Sequence, residues 1–255
     1  HVKRRRQRQM CIRDRPKSTL NEIYKKVRNF PWSAAQNMNG WEYGTNLNYL
    51  KSISKYWITK YNWKKFENKI NSFKNYKTKV EDINLHFIFE KSKNPNSKQL
   101  LLLHGWPGSI TEFLDIIPRL AHPEKFGGKI EDGFDIIVPS LPGFGFSSQI
   151  KKALGPRKIG KILNKFMVKN LGYKNYFVQG GDWGATIAGW IGLDSSKNCK
   201  GIHINCLPLR HPEGTKNVKE KKWEKKFNFD QIMQEGYRTQ QATKPQTLSY
   251  AMIDS

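Results

Sequence analysis

Short apolar runs alternate with stretches of helical spacing between residues 83 and 206. The runs predict strands at about residues 83–89, 100–104, 134–139, 175–179 and 200–206. The stretches between them predict helices at about residues 110–121, 157–171 and 184–194. Because strands that alternate with helices form a mostly parallel sheet, we expect an α/β fold with its ligand at the carboxyl ends of the strands.

Helical patterns lie on both sides of this region. Before it, two apolar sets recur at helical spacing, and Asn62, a residue suited to a helix N-cap, separates them. The sets are Leu47, Leu50, Ile53, Trp57 and Tyr61, then Trp63, Phe66, Ile70 and Phe73. We expect both helices to pack against the sheet region. From about Leu207 the sequence becomes charged and helical.

The first sixteen residues contain seven Lys or Arg, one Asp and no periodic apolar face. We interpret residues 1–16 as a translated sequencing or assembly artefact, expect them to be unstructured, and exclude them from the fold. A basic arm that binds nucleic acid is the alternative interpretation. The chain is thus predicted to divide into residues 1–16, 17–82, 83–206 and 207–255.

The formal net charge is +24, and +18 remains when the first sixteen residues are left out. The lysines are scattered along the chain, and no RNA-recognition or helix-turn-helix signature is present. The charge therefore predicts weak, salt-sensitive and sequence-blind polyanion binding, with no specific nucleic acid partner.

The cysteines Cys11, Cys199 and Cys206 have neither paired nor metal-ligand spacing. An odd count suits a reducing compartment, so we expect a cytoplasmic protein without a metal or another cofactor. No apolar run approaches the roughly 20 residues of a membrane helix, so no membrane span is expected.

Asp182 stands in the run Val178-Gln179-Gly180-Gly181-Asp182-Trp183-Gly184-Ala185, between a predicted strand and a predicted helix. The run resembles the nucleophile elbow of α/β-hydrolases, with a carboxylate in place of serine. Gly180 and Gly184 fit this turn, because larger side chains there would collide where strand and helix meet at a positive φ. A carboxylate nucleophile displaces a leaving group from an sp³ carbon. The elbow therefore indicates opening of epoxides or cleavage of carbon–halogen bonds.

A second motif, His104-Gly105-Trp106-Pro107-Gly108-Ser109, follows the apolar run Leu100 to Leu103. A Gly/Pro loop at this point supplies one N–H of an oxyanion hole, and the residue after the nucleophile supplies the other. We therefore select the backbone N–H groups of Trp106 and Trp183 as the donors, with Gly105 and Pro107 shaping the loop. His104 is interpreted as a buried histidine bonded to the backbone rather than as a catalytic base.

A third motif, Leu141-Pro142-Gly143-Phe144-Gly145-Phe146-Ser147, follows the strand at residues 134–139. Its phenylalanines either form the wall of an apolar site or pack in the core.

Together these runs resemble the epoxide hydrolases of the microsomal and juvenile-hormone type, from about Leu20 to the last residue. The other matching stretches are Trp41-Glu42-Tyr43-Gly44, Asn62-Trp63-Lys64-Lys65, His86-Phe87-Ile88, and Gly236-Tyr237 with Thr243-Lys244-Pro245. The resemblance implies an α/β-hydrolase core over residues 83–206, a helical epoxide-hydrolase segment over residues 17–82, and the start of a helical lid over residues 207–255. Dehalogenases do not share the N-terminal segment, so epoxides are favoured over alkyl halides.

The resemblance also implies roles. Asp182 would attack an epoxide carbon and form an alkyl-enzyme ester, while Tyr237 would donate a proton to the epoxide oxygen. Water activated by a histidine would then hydrolyse the ester to a vicinal diol, with the oxyanion held by Trp106 and Trp183 N–H. The expected partners are thus a small apolar epoxide and water.

The histidine that should activate the water is not found where the family places it. The histidines are His1, His86, His104, His122, His203 and His211, and none follows the predicted lid. The acidic partner and a second lid tyrosine also have no match. The sequence therefore reads as a fragment that lacks the final strands and is expected to form the ester without hydrolysing it. A dehalogenase-type hydrolase and a non-catalytic hydrolase-like or polyanion-binding protein are the alternatives.

Overall fold

The computed structural model describes residues 8–9, 15–36, 40–206 and 214–254. The chain forms two compact units, one of residues 1–14 and 60–207 and the other of residues 15–59 and 208–255. The helices of the described residues are α1 Lys17–Arg28, α2 Leu47–Thr59, α3 Trp63–Asn71, α4 Ile117–Ala121, α5 Pro156–Lys165, α6 Trp183–Asp194, α7 Val218–Gln234, α8 Gly236–Thr243 and α9 Pro245–Asp254.

A seven-stranded sheet forms the centre of the first unit, in the order β1-β2-β3-β5-β4-β6-β7. The strands are β1 Arg8–Gln9, β2 Asn75–Val80, β3 Ile83–Glu90, β4 Lys98–Leu103, β5 Phe134–Pro139, β6 Tyr176–Gly180 and β7 Cys199–Ile204. β5, β4, β6 and β7 pair in parallel, while β1, β2 and β3 pair antiparallel to their neighbours. Five strands therefore run in one direction, and the mostly parallel sheet is confirmed.

Two apolar clusters cover the faces of this sheet. One cluster includes Ile159 and Leu163 of α5 and Ile187 of α6. The other includes Ile70 of α3 and Ile117 of α4. Because both faces are covered, β3 is buried along most of its length rather than on alternate residues. The packing of α3 on the sheet is as expected, and Asn62 caps α3 by accepting the Lys65 N–H.

Two helices differ from the sequence prediction. The helix predicted at residues 110–121 is a 3₁₀ turn, Ile110–Phe113, followed by α4. Pro118 gives the reason, because it has no N–H to continue a helix from the preceding turn and is found near a helix start. The helix predicted at residues 157–171 ends as α5 at Lys165 and continues as a π-helical turn, Phe166–Asn170.

The expectation that residues 1–16 are unstructured is wrong for Arg8 and Gln9, which form β1 and pair with Lys77 and Tyr76 of β2. Pairing at the edge of a sheet uses backbone groups that any extended segment has. The residue types of Arg8 and Gln9 therefore did not predict a strand. Residues 15–16 precede α1, and the rest of residues 1–16 lies outside the described residues. β2 itself was not predicted, because its lysines interrupt the apolar alternation.

His86 of β3 is fully buried. Its Nε2 donates to Asn75 Oδ1 at 3.0 Å, and its Nδ1 accepts from Ser140 Oγ at 2.9 Å. Asn75 Nδ2 in turn donates to the carbonyls of Ile70 and Phe73. Burial lowers the pKa of His86 to about 3, so the ring is neutral near pH 7. A neutral, hydrogen-bonded ring of this kind holds β2, β3 and the end of β5 in one register.

The second unit is helical in the residues described. α1 and α2 contact each other, α7 contacts α8, and α8 contacts α9. α7 begins with a capping box in which Asn217 accepts the Glu220 N–H and the Glu220 side chain accepts the Asn217 N–H. The charged helical pattern predicted after Leu207 is thus present from Val218, whereas residues 207–213 lie outside the described residues. α2 belongs to this unit, and its packing against the sheet stays a prediction.

Among the described residues, no helix combines the length and the apolar character that a bilayer crossing requires.

Candidate active site

Asp182 lies at the carboxyl end of β6, on the turn that leads into α6. Its backbone has φ 50° and ψ −122°, a conformation that L-residues rarely adopt. The side chain is exposed. Because β6 pairs with β4 and β7 on its two sides, the turn extends from the middle of the parallel strands. The structure therefore has the sharp turn that the sequence predicts, with a carboxylate at its tip.

Gly180 and Gly184 make this turn sterically possible. A Cβ added to Gly180 would overlap the backbone of Gly184, and a Cβ added to Gly184 would overlap the carbonyl group of Leu103 at the end of β4. The backbones of β6, α6 and β4 thus meet without room for side chains. The crowding that we expected at both positions is present.

Gly184→Ala is expected to lower the free energy of unfolding by about 3 kcal/mol, because its Cβ has only rigid backbone to displace. Gly189 is the matched control, since it lies in the same helix with nothing within 4 Å of its added Cβ. Gly189→Ala should raise the free energy of unfolding by about 1 kcal/mol through helix propensity. Urea unfolding measures both, and equal effects of the two substitutions would contradict the steric argument.

The loop after β4 supports the carboxylate directly. The Trp106 N–H donates to Asp182 Oδ1 at 2.8 Å. A Cβ added to Gly105 would overlap the Asp182 side chain, so the carboxylate lies against the bare backbone of this glycine. The Trp106–Pro107 peptide is cis. Trp106 N–H and Asp182 are therefore brought together as expected.

Trp183 is the first residue of α6. The N–H groups of the first helical turn have no acceptor within their own helix, so the Trp183 N–H is available to an oxyanion at the same turn. Trp183 as a whole residue is 47% exposed. Its position agrees with the expected second donor, although its catalytic role stays a prediction.

His104 is fully buried behind this loop. Its Nε2 accepts the Leu141 N–H at 3.1 Å, so the proton is on Nδ1, which donates to the Gly105 carbonyl at 3.0 Å. Burial lowers the pKa of His104, so the ring stays neutral. Both nitrogens are used in backbone hydrogen bonds, which confirms the interpretation of His104 as a structural residue and leaves neither nitrogen to activate water.

The phenylalanines of the third motif contact these histidines. Phe144 packs edge-on against His104, with ring centroids 5.3 Å apart, and Phe146 packs in the same way against His86 at 5.1 Å. Phe144 also packs on the apolar cluster that includes Ile159, and Phe146 on the one that includes Ile70. Of the two interpretations left open by the sequence, core packing is the one that these contacts support.

Glu112 is a residue that the motifs did not single out. A Cβ added to Gly108 would overlap its Oε1, so the carboxylate lies against the loop at residues 104–109. Burial of the carboxylate, with a smaller contribution from the charge of Asp182, raises the pKa of Glu112. The signal was present in the sequence, because Ser109-Ile110-Thr111-Glu112 has the Ser-x-x-Glu spacing of a capping box.

Tyr237 lies in α8, in the second unit, and the residue is 54% exposed. Asp182 lies in the first unit. The role of Tyr237 as proton donor therefore stays a prediction.

An apolar cavity of about 760 Å³ opens on the sheet face formed by β4, β6 and β7. Its lining includes Leu100, Phe177 and Ile202 but neither Asp182 nor any residue of the loop at residues 104–109. It is thus separate from the candidate site. Within the part of the chain that the structure describes, no group of three or more His, Cys, Asp or Glu side chains could hold a metal ion.

Comparison with known proteins gives two family matches. A model described as "alpha/beta hydrolase fold" matches residues 98–251, and one described as "Epoxide hydrolase N terminus" matches residues 9–113. Together the matches include the loop at residues 104–109, the elbow and Tyr237. The family matches therefore extend over both halves of the chain.

Named relatives agree with these matches. Epoxide hydrolase 1 of Oryctolagus cuniculus is 33% identical over 92% of this chain and 57% of its own length. Juvenile hormone epoxide hydrolase 1 of Ctenocephalides felis is 35% identical over 84% of this chain and 50% of its own length. The chain thus spans about half the length of the curated relatives it matches.

Among solved structures, the juvenile hormone epoxide hydrolase of Bombyx mori superimposes with a TM-score of 0.85 at 29% identity. The match covers 98% of this chain and 63% of that structure. The resemblance drawn from the sequence motifs is therefore confirmed, as is the expected fold. The chain belongs to the α/β-hydrolase fold family and carries the N-terminal domain of the epoxide hydrolases.

Proposed function

We propose that this protein opens an apolar epoxide to a vicinal diol through a covalent ester on Asp182. The observation that supports the proposal most directly is the exposed carboxylate on the strained turn, held by the Trp106 N–H at 2.8 Å. This chain covers about half the length of the relatives named as epoxide hydrolases. The activity of the complete protein is therefore inferred from those relatives and from the site.

The first step is a displacement at carbon. One Asp182 oxygen attacks an epoxide carbon, the carbon–oxygen bond of the ring breaks, and the freed alkoxide takes a proton from Tyr237. The Trp106 N–H fixes the other carboxylate oxygen, so the attacking oxygen is presented in one orientation. A phenol suits the proton transfer because an alkoxide is a far stronger base than a phenolate.

The second step hydrolyses the ester. Water adds to the ester carbonyl carbon, and the oxyanion that forms is stabilised by the N–H groups of Trp106 and Trp183. Collapse breaks the bond between the carboxyl carbon and the diol oxygen and leaves Asp182 with one oxygen from water. One proton of that water goes to the leaving diol oxygen, and the other restores the Tyr237 phenol. His86 and His104 are buried and hydrogen bonded through both ring nitrogens, so we assign the activating base to neither of them.

A single turnover of the complete protein in ¹⁸O water tests the covalent route. With enzyme in excess over epoxide, the diol of the first turnover should contain no heavy oxygen, because its new oxygen comes from the Asp182 carboxylate. A peptide that includes Asp182 should gain one heavy oxygen, measured by mass spectrometry after digestion. Heavy oxygen in the diol at the first turnover would show direct attack by water and would refute the proposal.

A further inference from the structure

A line of hydrogen bonds reaches Asp182 through the loop after β4. The Trp106 N–H donates to Asp182 Oδ1 at 2.8 Å. The same peptide unit contains the Gly105 carbonyl, which accepts from His104 Nδ1 at 3.0 Å. A peptide unit is planar, with its carbonyl and its N–H pointing in opposite directions. His104 and Asp182 are therefore joined through one rigid amide.

The line continues behind His104 into the loop after β5. His104 Nε2 accepts the Leu141 N–H at 3.1 Å. The carbonyl of that peptide unit, on Ser140, accepts from Ser147 Oγ at 2.7 Å. Ser147 Oγ itself accepts the His86 N–H of β3 at 3.0 Å, so its own proton is free to be donated to Ser140. A second rigid amide thus joins Ser147 to His104.

Each group in this line donates toward Asp182 and accepts from the group behind it. We call the line the relay, and its members in order are the His86 N–H, the Ser147 hydroxyl, the Ser140–Leu141 peptide, the His104 ring, the Gly105–Trp106 peptide and Asp182 Oδ1. Hydrogen bonds in such a chain polarise one another, so each strengthens the next donor. Loss of the Ser147 hydroxyl should therefore weaken the Trp106 N–H as a donor.

The charge on Asp182 Oδ1 changes along the proposed reaction, and this change makes the effect of the relay selective. Oδ1 shares the carboxylate charge before attack, is a neutral carbonyl oxygen in the ester, and carries a full charge in the tetrahedral intermediate of hydrolysis. A hydrogen bond to a charged oxygen is roughly twice as strong as one to a neutral oxygen. The relay therefore stabilises the intermediate of ester hydrolysis relative to the ester, and it does not favour formation of the ester.

We propose that Ser147 is a positioning residue that speeds ester hydrolysis through the relay, by strengthening the Trp106 N–H as a donor to the oxyanion. The inference rests on the proposed covalent ester on Asp182. Ser147 touches neither the substrate nor the reacting atoms in this scheme. Its loss should slow one chemical step, whereas general damage to the fold would slow both.

The test measures two rates in the complete protein with styrene oxide, both by intact mass spectrometry of quenched samples. One is formation of the ester, and the other is decay of the ester after free epoxide is removed. Ser147→Ala should lower the rate of ester decay by roughly 3- to 10-fold, the scale of one net hydrogen bond, without lowering the rate of ester formation. Equal losses in both steps, or decay at the wild-type rate, would overturn the inference.

Ser147→Cys provides a second variant, because a thiol is similar in size and is a weaker donor than a hydroxyl group. It should also slow ester decay alone, by a smaller factor than Ser147→Ala. A loss confined to ester formation in this variant would contradict the direction of the relay.

Ser148→Ala is the matched control. Ser148 is the next residue of the same loop, and its hydroxyl oxygen also accepts a β3 N–H, that of Asn84, at 3.1 Å. Among the described residues, none of its hydrogen bonds leads to the Ser140 carbonyl. Ser148→Ala should therefore keep the wild-type rates of both steps. Equal slowing of ester decay in Ser148→Ala and Ser147→Ala would overturn the inference, because loss of a contact with β3 would then explain the effect.

Proton NMR of the His104 ring separates this inference from the proposed function. The resonance of the Nδ1 proton reports the strength of the bond from His104 to the Gly105 carbonyl, and it should move upfield in Ser147→Ala and stay in place in Ser148→Ala. An unmoved resonance in Ser147→Ala would overturn the inference. If the wild type formed no ester while the resonance moved as expected, the proposed function would fail and the relay would stand.

Discussion

Asp182→Asn is expected to abolish formation of the ester, with a fall in its rate on the order of 10⁴-fold or more, as is found when a covalent nucleophile is removed. The amide is nearly isosteric with the carboxylate, and its Oδ1 can still accept the Trp106 N–H. The turn and the loop should therefore be retained while the anionic nucleophile is lost. Intact mass spectrometry after incubation with a reactive epoxide measures the adduct.

The folded state needs its own check, because loss of the adduct could also follow from unfolding. Urea unfolding of Asp182→Asn should give a free energy of unfolding close to that of the wild type, since the side chain is exposed. A stable adduct that forms on folded Asp182→Asn at the wild-type rate would show that another residue is the nucleophile. Peptide mapping of that adduct would identify the residue.

Tyr237→Phe is expected to slow ring opening by roughly 10- to 10⁴-fold, the usual range for loss of a general acid. Phenylalanine keeps the ring and removes only the hydroxyl group, so the alkoxide of the opened epoxide has no proton donor at this position. The rate of ester formation under single-turnover conditions in the complete protein measures the effect. The loss should be largest for epoxides whose opening gives the most basic alkoxide.

Tyr250→Phe is the control for this experiment. Tyr250 also lies on a helix of the second unit, in α9, and the residue is 67% exposed. The Tyr250→Phe variant should open epoxides at the wild-type rate. A wild-type rate in Tyr237→Phe would remove Tyr237 from the proposed mechanism.

The choice between epoxide and alkyl halide has its own test, because a departing halide needs no proton. If the complete protein released bromide from bromoalkanes faster than it opened styrene oxide, the protein would be assigned as a dehalogenase instead of an epoxide hydrolase.

The parallel strands and the elbow could be predicted from the sequence because their signals are local. β4, β5, β6 and β7 are apolar runs bounded by turns, and their observed ends lie within two residues of the predicted ones. At the elbow, the backbone at two positions two residues before and after Asp182 contacts neighbouring backbone so closely that only glycine fits. The predicted place of the nucleophile followed from that constraint.

Features that depend on long-range pairing gave weaker signals. β2 has a lysine-rich sequence that is stabilised by pairing with β3, and the polar network around His86 joins residues far apart in the chain. Glu112 carries a recognisable capping pattern, yet the contact of its carboxylate with Gly108 depends on how the loop after β4 folds back over the turn. Neither the pairing nor the folding back is encoded within one short window of residues.

The backbone of Asp182 has a consequence for protein engineering. Its φ of 50° is unfavourable for any residue with a Cβ, at a cost on the order of 1–3 kcal/mol, and glycine would avoid this strain. A search for thermostable variants that scored stability alone would therefore replace the nucleophile early. Position 182 is a place where stability and chemistry oppose each other, so directed evolution of this protein should select for both at once.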